Sequence, residues 1–542
     1  MGFSREFSSW KTREISYSSV SNFDQRTIPP TCYKTFTLRA GPVAPVPTSA
    51  GGGIALRSDN RIQIDSGKAG VNMKPMRGSS SRVTVVAIMG VAVTAFASIL
   101  AAFALSNPDD KPGACEPQSV DAPGQQCAKA LVGLFEQGKE IFRFDTFGDE
   151  DYWGGMLQLH RAVEGAALGG VGPGVSPRTA LTVAGFKVDV DALPGNVRAQ
   201  LRQGRLDLDN PANTLALLQL NAVVGVKGVF DAGGGSLSSI GITCALCHST
   251  VDNSFAAGIG KRLDGWPNED LNVGLIVSLA PNLAPMADQV LGASDPATID
   301  TLKKVLLSWG PGFYDAEVNI DGIGFRPDGK SAATRIPAAY GHLGENYHTW
   351  TGGFGNVTYW NAYVANLQMH GNGNFNDERF NDPVKYPAAV RGGFYKLRHD
   401  PDQVTSKLAP LHYYQLSLKA PTPPPGSFNL AAAERGEAVF NGQGKCSECH
   451  MPPLYTDAGY NAHTPAEMCI DSFQADRGPT GAIGSTMVTP QLNGLWARSK
   501  RGFYHDGRFP TLLDVANHYN SCFNLGLSAA QMSDLVEFIK SR

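Results

Sequence analysis

The chain carries no basic excess. Across 542 residues, 46 Lys and Arg face 49 Asp and Glu. Residues 1–75 take ten of the basic groups and five of the acidic ones, which leaves 36 against 44, a net of −8, for the rest. That mild acidity excludes a surface built to track phosphates, so nucleic acid is not expected as a partner. No compositional extreme marks a fibrous or wholly disordered chain: 42% apolar and 18% charged residues are ordinary for globular domains, and the length suits two or three of them. Histidine is sparse, eleven in all, with none between His248 and His342. Cysteine is sparser still, nine residues, and further paired Cys or His ligands of a zinc site are missing around either CxxC pair.

What the few cysteines do form is specific. Lys445-Cys446-Ser447-Glu448-Cys449-His450 is a CxxCH sequence, and Cys244-Ala245-Leu246-Cys247-His248 repeats it. This is the attachment pattern of c-type haem. On one short helical turn, two thiols reach the two vinyl groups of a porphyrin and the adjacent imidazole lies against the iron. Two covalently bound haem c groups are therefore expected, on Cys244 and Cys247 and on Cys446 and Cys449, with His248 and His450 as proximal iron ligands.

A long uncharged apolar run, Val83 to Leu105, follows Arg77 and Arg82 and ends in Ala102-Phe103-Ala104. That is the layout of a secretory signal, although 23 residues could also span a bilayer as an uncleaved anchor. Residues 1–75 are rich in Ser, Thr, Gly and Pro and hold the lone Cys32; they read as disordered or as untranslated, with synthesis starting at Met73 or Met76. Haem attachment to CxxCH takes place outside the bacterial cytoplasm, so signal and motifs agree on a periplasmic protein, soluble or tethered to the inner membrane. Cys115, Cys127, Cys469 and Cys522, an even number after the export segment, suit an oxidising compartment. Cys115 with Cys127, and Cys469 with Cys522, are the expected disulfides, set against free thiols.

Leu131 to Phe144 has the three-to-four spacing of an amphipathic helix. Its segment Glu136-Gln137-Gly138-Lys139-Glu140-Ile141-Phe142 parallels Glu434-Arg435-Gly436-Glu437-Ala438-Val439-Phe440 ahead of the second motif, an internal repeat. A Gly four residues before an aromatic ring lets a second helix cross closely. Only Asn441 to Lys445 then separate Phe440 from Cys446, whereas residues 143–243 intervene in the first copy. An insertion of that length is expected to cover the haem or shape an approach to it. Its acidic opening (Asp145, Asp149, Glu150, Asp151) reads as a solvated face, with calcium binding as the alternative. In Pro296 to Trp309, Ile299, Leu302, Val305, Leu306 and Trp309 point inward; Trp309 reads as core, or as a bridge between haems.

Downstream of each motif a proline loop precedes a Tyr-His turn: Arg335-Ile336-Pro337 with Tyr347-His348, and Val488-Thr489-Pro490 with Tyr504-His505-Asp506-Gly507. His348 and His505 are the candidate distal iron ligands. Met487, His518 and Tyr519 compete at the second haem, and His160, His342 and His370 at the first. Residues 420–427, with Pro421, Pro423, Pro424 and Pro425, form a stiff linker between domains.

With Thr489-Pro490-Gln491-Leu492-Asn493-Gly494, then His505-Asp506-Gly507 and Thr511-Leu512, the chain resembles the bacterial di-haem cytochrome c peroxidase superfamily, most clearly over its last 120 or so residues. That superfamily includes the enzymes maturing a tryptophan-derived quinone, where a tyrosine ligates one iron and Tyr519 is suitably placed, and the di-haem rubber oxygenases. The resemblance implies one haem that relays electrons and another that reacts with peroxide or oxygen. Peroxidases of this group carry a histidine soon after their first motif; its absence here, with the long insertion, departs from them.

The expected protein is mainly α, with two cytochrome c-like haem domains, the first enlarged by the insertion. Its parts are the extension 1–75, the signal or anchor 76–106, a first haem domain 107–419 with insertion 143–243, the linker 420–427 and a C-terminal cytochrome c domain 428–542. An oxidoreductase served by a redox partner protein or a quinone-linked donor is the leading expectation; the alternative is a non-catalytic carrier with both irons six-coordinate. If synthesis starts at Met73 or Met76, peptide mapping of the native protein will recover no tryptic peptide from residues 1–68.

Overall fold

The computed structural model describes residues 122–479 and 484–542. The extension 1–75, the segment 76–106 with its apolar run, and Cys115 lie outside those residues. The described part is helix-rich, as expected of a mainly α protein, and its strands form five two-stranded sheets. No helix among the described residues is long and apolar enough to cross a membrane.

Helix α1 (Ala122–Phe144) begins earlier than its apolar period suggests. It buries Leu134, Ile141 and Phe142, each worth roughly 1.5–3 kcal/mol when fully buried. The hairpin β1 (Val226–Phe230) and β2 (Leu237–Ile242) leads into the single turn α2 (Ala245–His248) that carries the first motif. Then come α3 (Pro296–Trp309), α4 (Val357–Tyr363) and α5 (Leu408–Ser417), which close the first half. The second half is built on α6 (Leu430–Asn441), α7 (Leu512–Cys522) and α8 (Ala529–Lys540). Capping boxes at Thr511/Asp514 and Ser528/Gln531 start the last two.

The repeat seen in the sequence is a repeat of packing. A Cβ on Gly138 would overlap the Pro410 carbonyl oxygen, and one on Gly436 the Asp534 carbonyl oxygen, so α1 crosses α5, and α6 crosses α8, backbone against backbone. Phe142 and Phe440, one turn on, pack against Tyr414 and Phe538 with ring centroids 5.5 and 4.9 Å apart.

The insertion returns to where it leaves: Thr243 Oγ1 donates to the Arg143 carbonyl at 3.1 Å, so its two ends sit side by side. It is no loose loop. Leu157, Leu159, Leu215, Leu218, Leu237 and Ile240 join Leu302, Val305, Leu306 and Trp309 in one core. Trp309 is thus a core residue, edge-on to Tyr314. The acidic opening is only in part the solvated face its charge suggests: Asp151 is exposed and Asp145 and Glu150 are half-buried, but Asp149 is shut away from solvent. Asp149 is fully buried and accepts the Ile242 N–H at 3.1 Å, Asp145 takes Lys407 Nζ at 2.7 Å, Glu150 takes the Thr146 hydroxyl at 2.6 Å, and Asp151 takes Asn372 Nδ2 at 2.7 Å. Asp149 gives the Ile242 N–H an acceptor at the base of the insertion, and the other three tie that base to neighbouring side chains.

The proline-rich stretch 420–427 does not hold the halves apart. Residues 129–542 form one compact unit, and Trp496 Nε1 donates to the Pro421 carbonyl at 3.3 Å while its ring meets Trp266 edge-on. A disulfide joins Cys469 and Cys522, the staple foreseen for the C-terminal loop region.

Replacing Gly436 with Ala separates packing from propensity. Helix propensity alone would raise stability by about 1 kcal/mol. The overlap with Asp534 reverses the sign, and equilibrium urea unfolding is expected to show a loss of about 1–3 kcal/mol.

Candidate functional site

Each CxxCH turn opens onto its own cavity. The first is walled by Cys244, Cys247, His248, Trp153, Val364, Met369 and the loop Thr334–Pro337; its empty space, mouth included, is ≈ 920 Å³. The second is walled by Cys446, Cys449, His450, Phe440, Leu492, Phe503 and Leu535, with ≈ 1380 Å³. All four thiols are unpaired. Burial pushes Cys244, Cys247 and Cys446 up to about 12, so these remain thiols.

The two motif histidines are oriented alike. His248 Nδ1 lies 3.0 Å from the Pro337 carbonyl, and His450 Nδ1 3.0 Å from the Tyr455 carbonyl. A carbonyl only accepts, so Nδ1 carries the hydrogen in both and Nε2 keeps its lone pair. Burial pushes both imidazoles down to about 4, which leaves them neutral at physiological pH.

The donor set fits haem c. Paired thiols, an imidazole with a free Nε2 and an apolar cavity recur at both places. In addition, Arg335 and Arg498 line the second cavity with buried Nε atoms that have no hydrogen-bond partner among the described residues. Unsatisfied buried guanidinium N–H groups call for an anionic acceptor such as the carboxylate edge of a porphyrin.

Opposite the motif histidines the cavities differ. His505, Met487 and Tyr519 all line the second. His505 is 2% exposed and neither ring nitrogen has a hydrogen-bond partner among the described residues, Asp506 Oδ2 lying 3.8 Å from Nε2, so it can turn a nitrogen to a metal there. His518 stands outside, its Nε2 bonded to the Met468 carbonyl at 2.9 Å. His348 is not brought to the first cavity. Thr349 takes a left-handed conformation at φ 66°, which turns Thr349–Thr351 toward the cavity and leaves the His348 ring against His342. His370 stacks on Tyr152 with centroids 3.6 Å apart, and neither it, His160 nor His342 lines that cavity. The first cavity therefore faces Trp153, Tyr314, Glu317, Gln368 and Met369.

Several site residues carried no role in the sequence reading. Arg335 and Trp350 line both cavities, as a shared wall. Arg335 pairs with Glu269 at 2.9 Å, and its carbonyl accepts Trp350 Nε1 at 3.1 Å. Both sit inside the repeated loop, so their position was legible although their contact with both cavities was not. His463 lines the second cavity; its bond to buried Asp457, with Cys449 adding, pushes it up to about 10. Glu317 lines the first cavity beside a buried cluster in which Arg477, from the C-terminal half, meets Asp315 at 2.9 Å and Asp321 at 2.8 Å. One guanidinium stands among three buried carboxyls. Burial, with Arg477 opposing and Asp315 adding, pushes Glu317 up to about 7, and its Oε2 has no partner among the described residues.

No family matches the chain, and no curated protein does. Seven chains of solved structures match, among them one from Kuenenia stuttgartiensis hydrazine synthase pressurized with xenon. That likeness has 17% identity over 41% of this chain and 76% of the other, with a TM-score of 0.26.

The raised Glu317 carboxyl has a signed consequence. Folded, it holds its proton to about pH 7; unfolded, it releases it near 4.5. Its contribution to stability is thus complete below pH 4.5 and is lost as pH rises to 7. Thermal melts across that window are expected to show a shallower decline for Glu317→Gln than for the wild type.

Proposed function

We propose that this chain is an exported di-haem c-type cytochrome, an oxidoreductase of the kind the superfamily resemblance implies. The observation that carries the reading is that both CxxCH turns open on cavities and the cavities share a wall, Arg335 and Trp350. Bound there, haem iron supplies one-electron chemistry, with the second cavity as electron relay and the first as the peroxide- or oxygen-reactive site. Cys244 and Cys247, and Cys446 and Cys449, hold the two porphyrins. His248 and His450, with Nδ1 held by carbonyls, would offer Nε2 to the iron. His505, which lines the second cavity, would offer its imidazole as a further ligand there. In the first, His248 is the one histidine among the described residues that line the cavity, so Gln368 and Glu317 border a side left for a small oxidant, and the Glu317 carboxyl would hold a proton there. Trp350 offers an aromatic path from one cavity to the other. The C-terminal disulfide supports a periplasmic location, and the electron donor is a redox partner protein or a quinone-linked donor.

A carrier with both irons six-coordinate rests on one residue. Met369 is 4% exposed, lines the first cavity and has a thioether able to close its distal side.

Low-temperature electron paramagnetic resonance of the oxidised protein separates the two. The oxidoreductase reading expects one high-spin iron that cyanide converts, beside one low-spin iron lost in His505→Ala. Two low-spin irons, one of them lost in Met369→Ala, would establish the carrier. Trp350→Ala is expected to slow electron redistribution between the centres in half-reduced protein at least tenfold, read by stopped-flow absorption.

A further inference from the structure

The loop that carries His348 gathers three metal-ligating side chains away from both cavities. Glu345 Oε2 stands 2.7 Å from His342 Nδ1 and 3.6 Å from His348 Nδ1. The two imidazoles meet edge to face with centroids 4.7 Å apart, and the three ligand atoms all lie within 4.8 Å of one another. His348 is 4% exposed, and neither of its ring nitrogens has a hydrogen-bond partner among the described residues. A buried polar group left unsatisfied costs about 1–3 kcal/mol, so an imidazole orphaned at both nitrogens asks for a ligand.

Proton counting around His342 points the same way. Its Nε2 lies 3.1 Å from the Ala338 carbonyl, which only accepts, so Nε2 carries a hydrogen. In the neutral ring, Nδ1 then aims a lone pair at the Glu345 carboxylate 2.7 Å away. Positive charge must lie between them, as a second proton or as a metal cation. A proton satisfies His342 and Glu345 and leaves His348 orphaned. A cation held by all three satisfies His342 and Glu345 equally well and also engages one of the two unpartnered His348 nitrogens.

We infer that His342, Glu345 and His348 bind one borderline divalent cation, with Zn²⁺ the best match to two imidazoles and a carboxylate, and with a fourth position for water. Bonds of about 2.0–2.1 Å in a tetrahedron put neighbouring ligand atoms roughly 3.3 Å apart. The observed 2.7 and 3.6 Å from Glu345 fall on either side of that separation, and with all three ligand atoms within 4.8 Å of one another the imidazoles must close on the cation to complete the site. The cation would also stiffen a loop that rests on the other half. Asn346 and Tyr347, within the loop, donate their backbone N–H groups to the Ala458 carbonyl of the C-terminal half at 3.2 and 2.9 Å.

The test uses the full-chain haem-loaded protein, stripped with a chelator and titrated with Zn²⁺ by calorimetry, with bound zinc counted by mass spectrometry after gel filtration. One zinc per chain is expected, with at least 100-fold weaker binding in His348→Ala and in Glu345→Gln and no change in His399→Ala, an exposed control. Wild-type protein that takes up no stoichiometric zinc, or uptake indifferent to both site substitutions, overturns the inference. Should the variants fail to fold, zinc K-edge absorption of the wild type decides: two imidazoles and an oxygen shell support the site, and a shell without imidazole overturns it. The proposed function does not use His348, so the two readings fail independently.

Discussion

Two helix crossings without room for a side chain set the geometry of the rest. Gly138 against Pro410 and Gly436 against Asp534 bring paired helices to backbone contact, and the aromatic ring one turn later packs against the partner helix. From that ring the chain must reach a CxxCH turn. In the second half five residues suffice. In the first, a hydrogen bond from Thr243 to Arg143 closes a hundred-residue excursion at its base, so the motif emerges from the same place on the scaffold. A fixed crossing therefore tolerates a large insertion, since loop closure penalises length only slowly.

The halves are coupled by charge as well as by contact. Arg335 sits in the wall between the cavities, and Arg477 leaves the C-terminal half to meet two buried carboxylates next to the first cavity. Burial alone works against the Arg477 charge, but Asp315 and Asp321 beside it hold its pKa above the usual range. Breaking such a buried pair from one side strands charge, typically at 3–5 kcal/mol, so the first cavity depends on the C-terminal half for its electrostatics. Any chemistry at Glu317 is accordingly a property of the whole 129–542 unit.

Asymmetry between the cavities follows from the backbone more than from composition. Both halves offer a Tyr-His pair after a proline loop. His505 enters its cavity, whereas a left-handed Thr349 presents threonines to the other and directs His348 to His342 and Glu345. Both loops carry a left-handed residue beside the histidine, Thr349 after His348 and Tyr504 before His505, so the turn falls at a different place in each.

The sequence by itself determined whatever rests on local spacing: the two CxxCH turns, the glycine–aromatic repeat with the helices it predicts, the inward face of Pro296–Trp309, and the Cys469–Cys522 pairing as a candidate. These are legible because a helix face, a two-thiol turn and a glycine crossing are set within a few residues of one another. Tertiary structure alone decided which histidine meets which cavity, that Asp149 is buried instead of solvated, that Arg335 and Trp350 stand between the cavities, and that Arg477 crosses to Asp315 and Asp321. Each of those depends on partners tens to hundreds of residues away, and neither the direction of a side chain nor the dielectric around a carboxylate is written in the residues beside it.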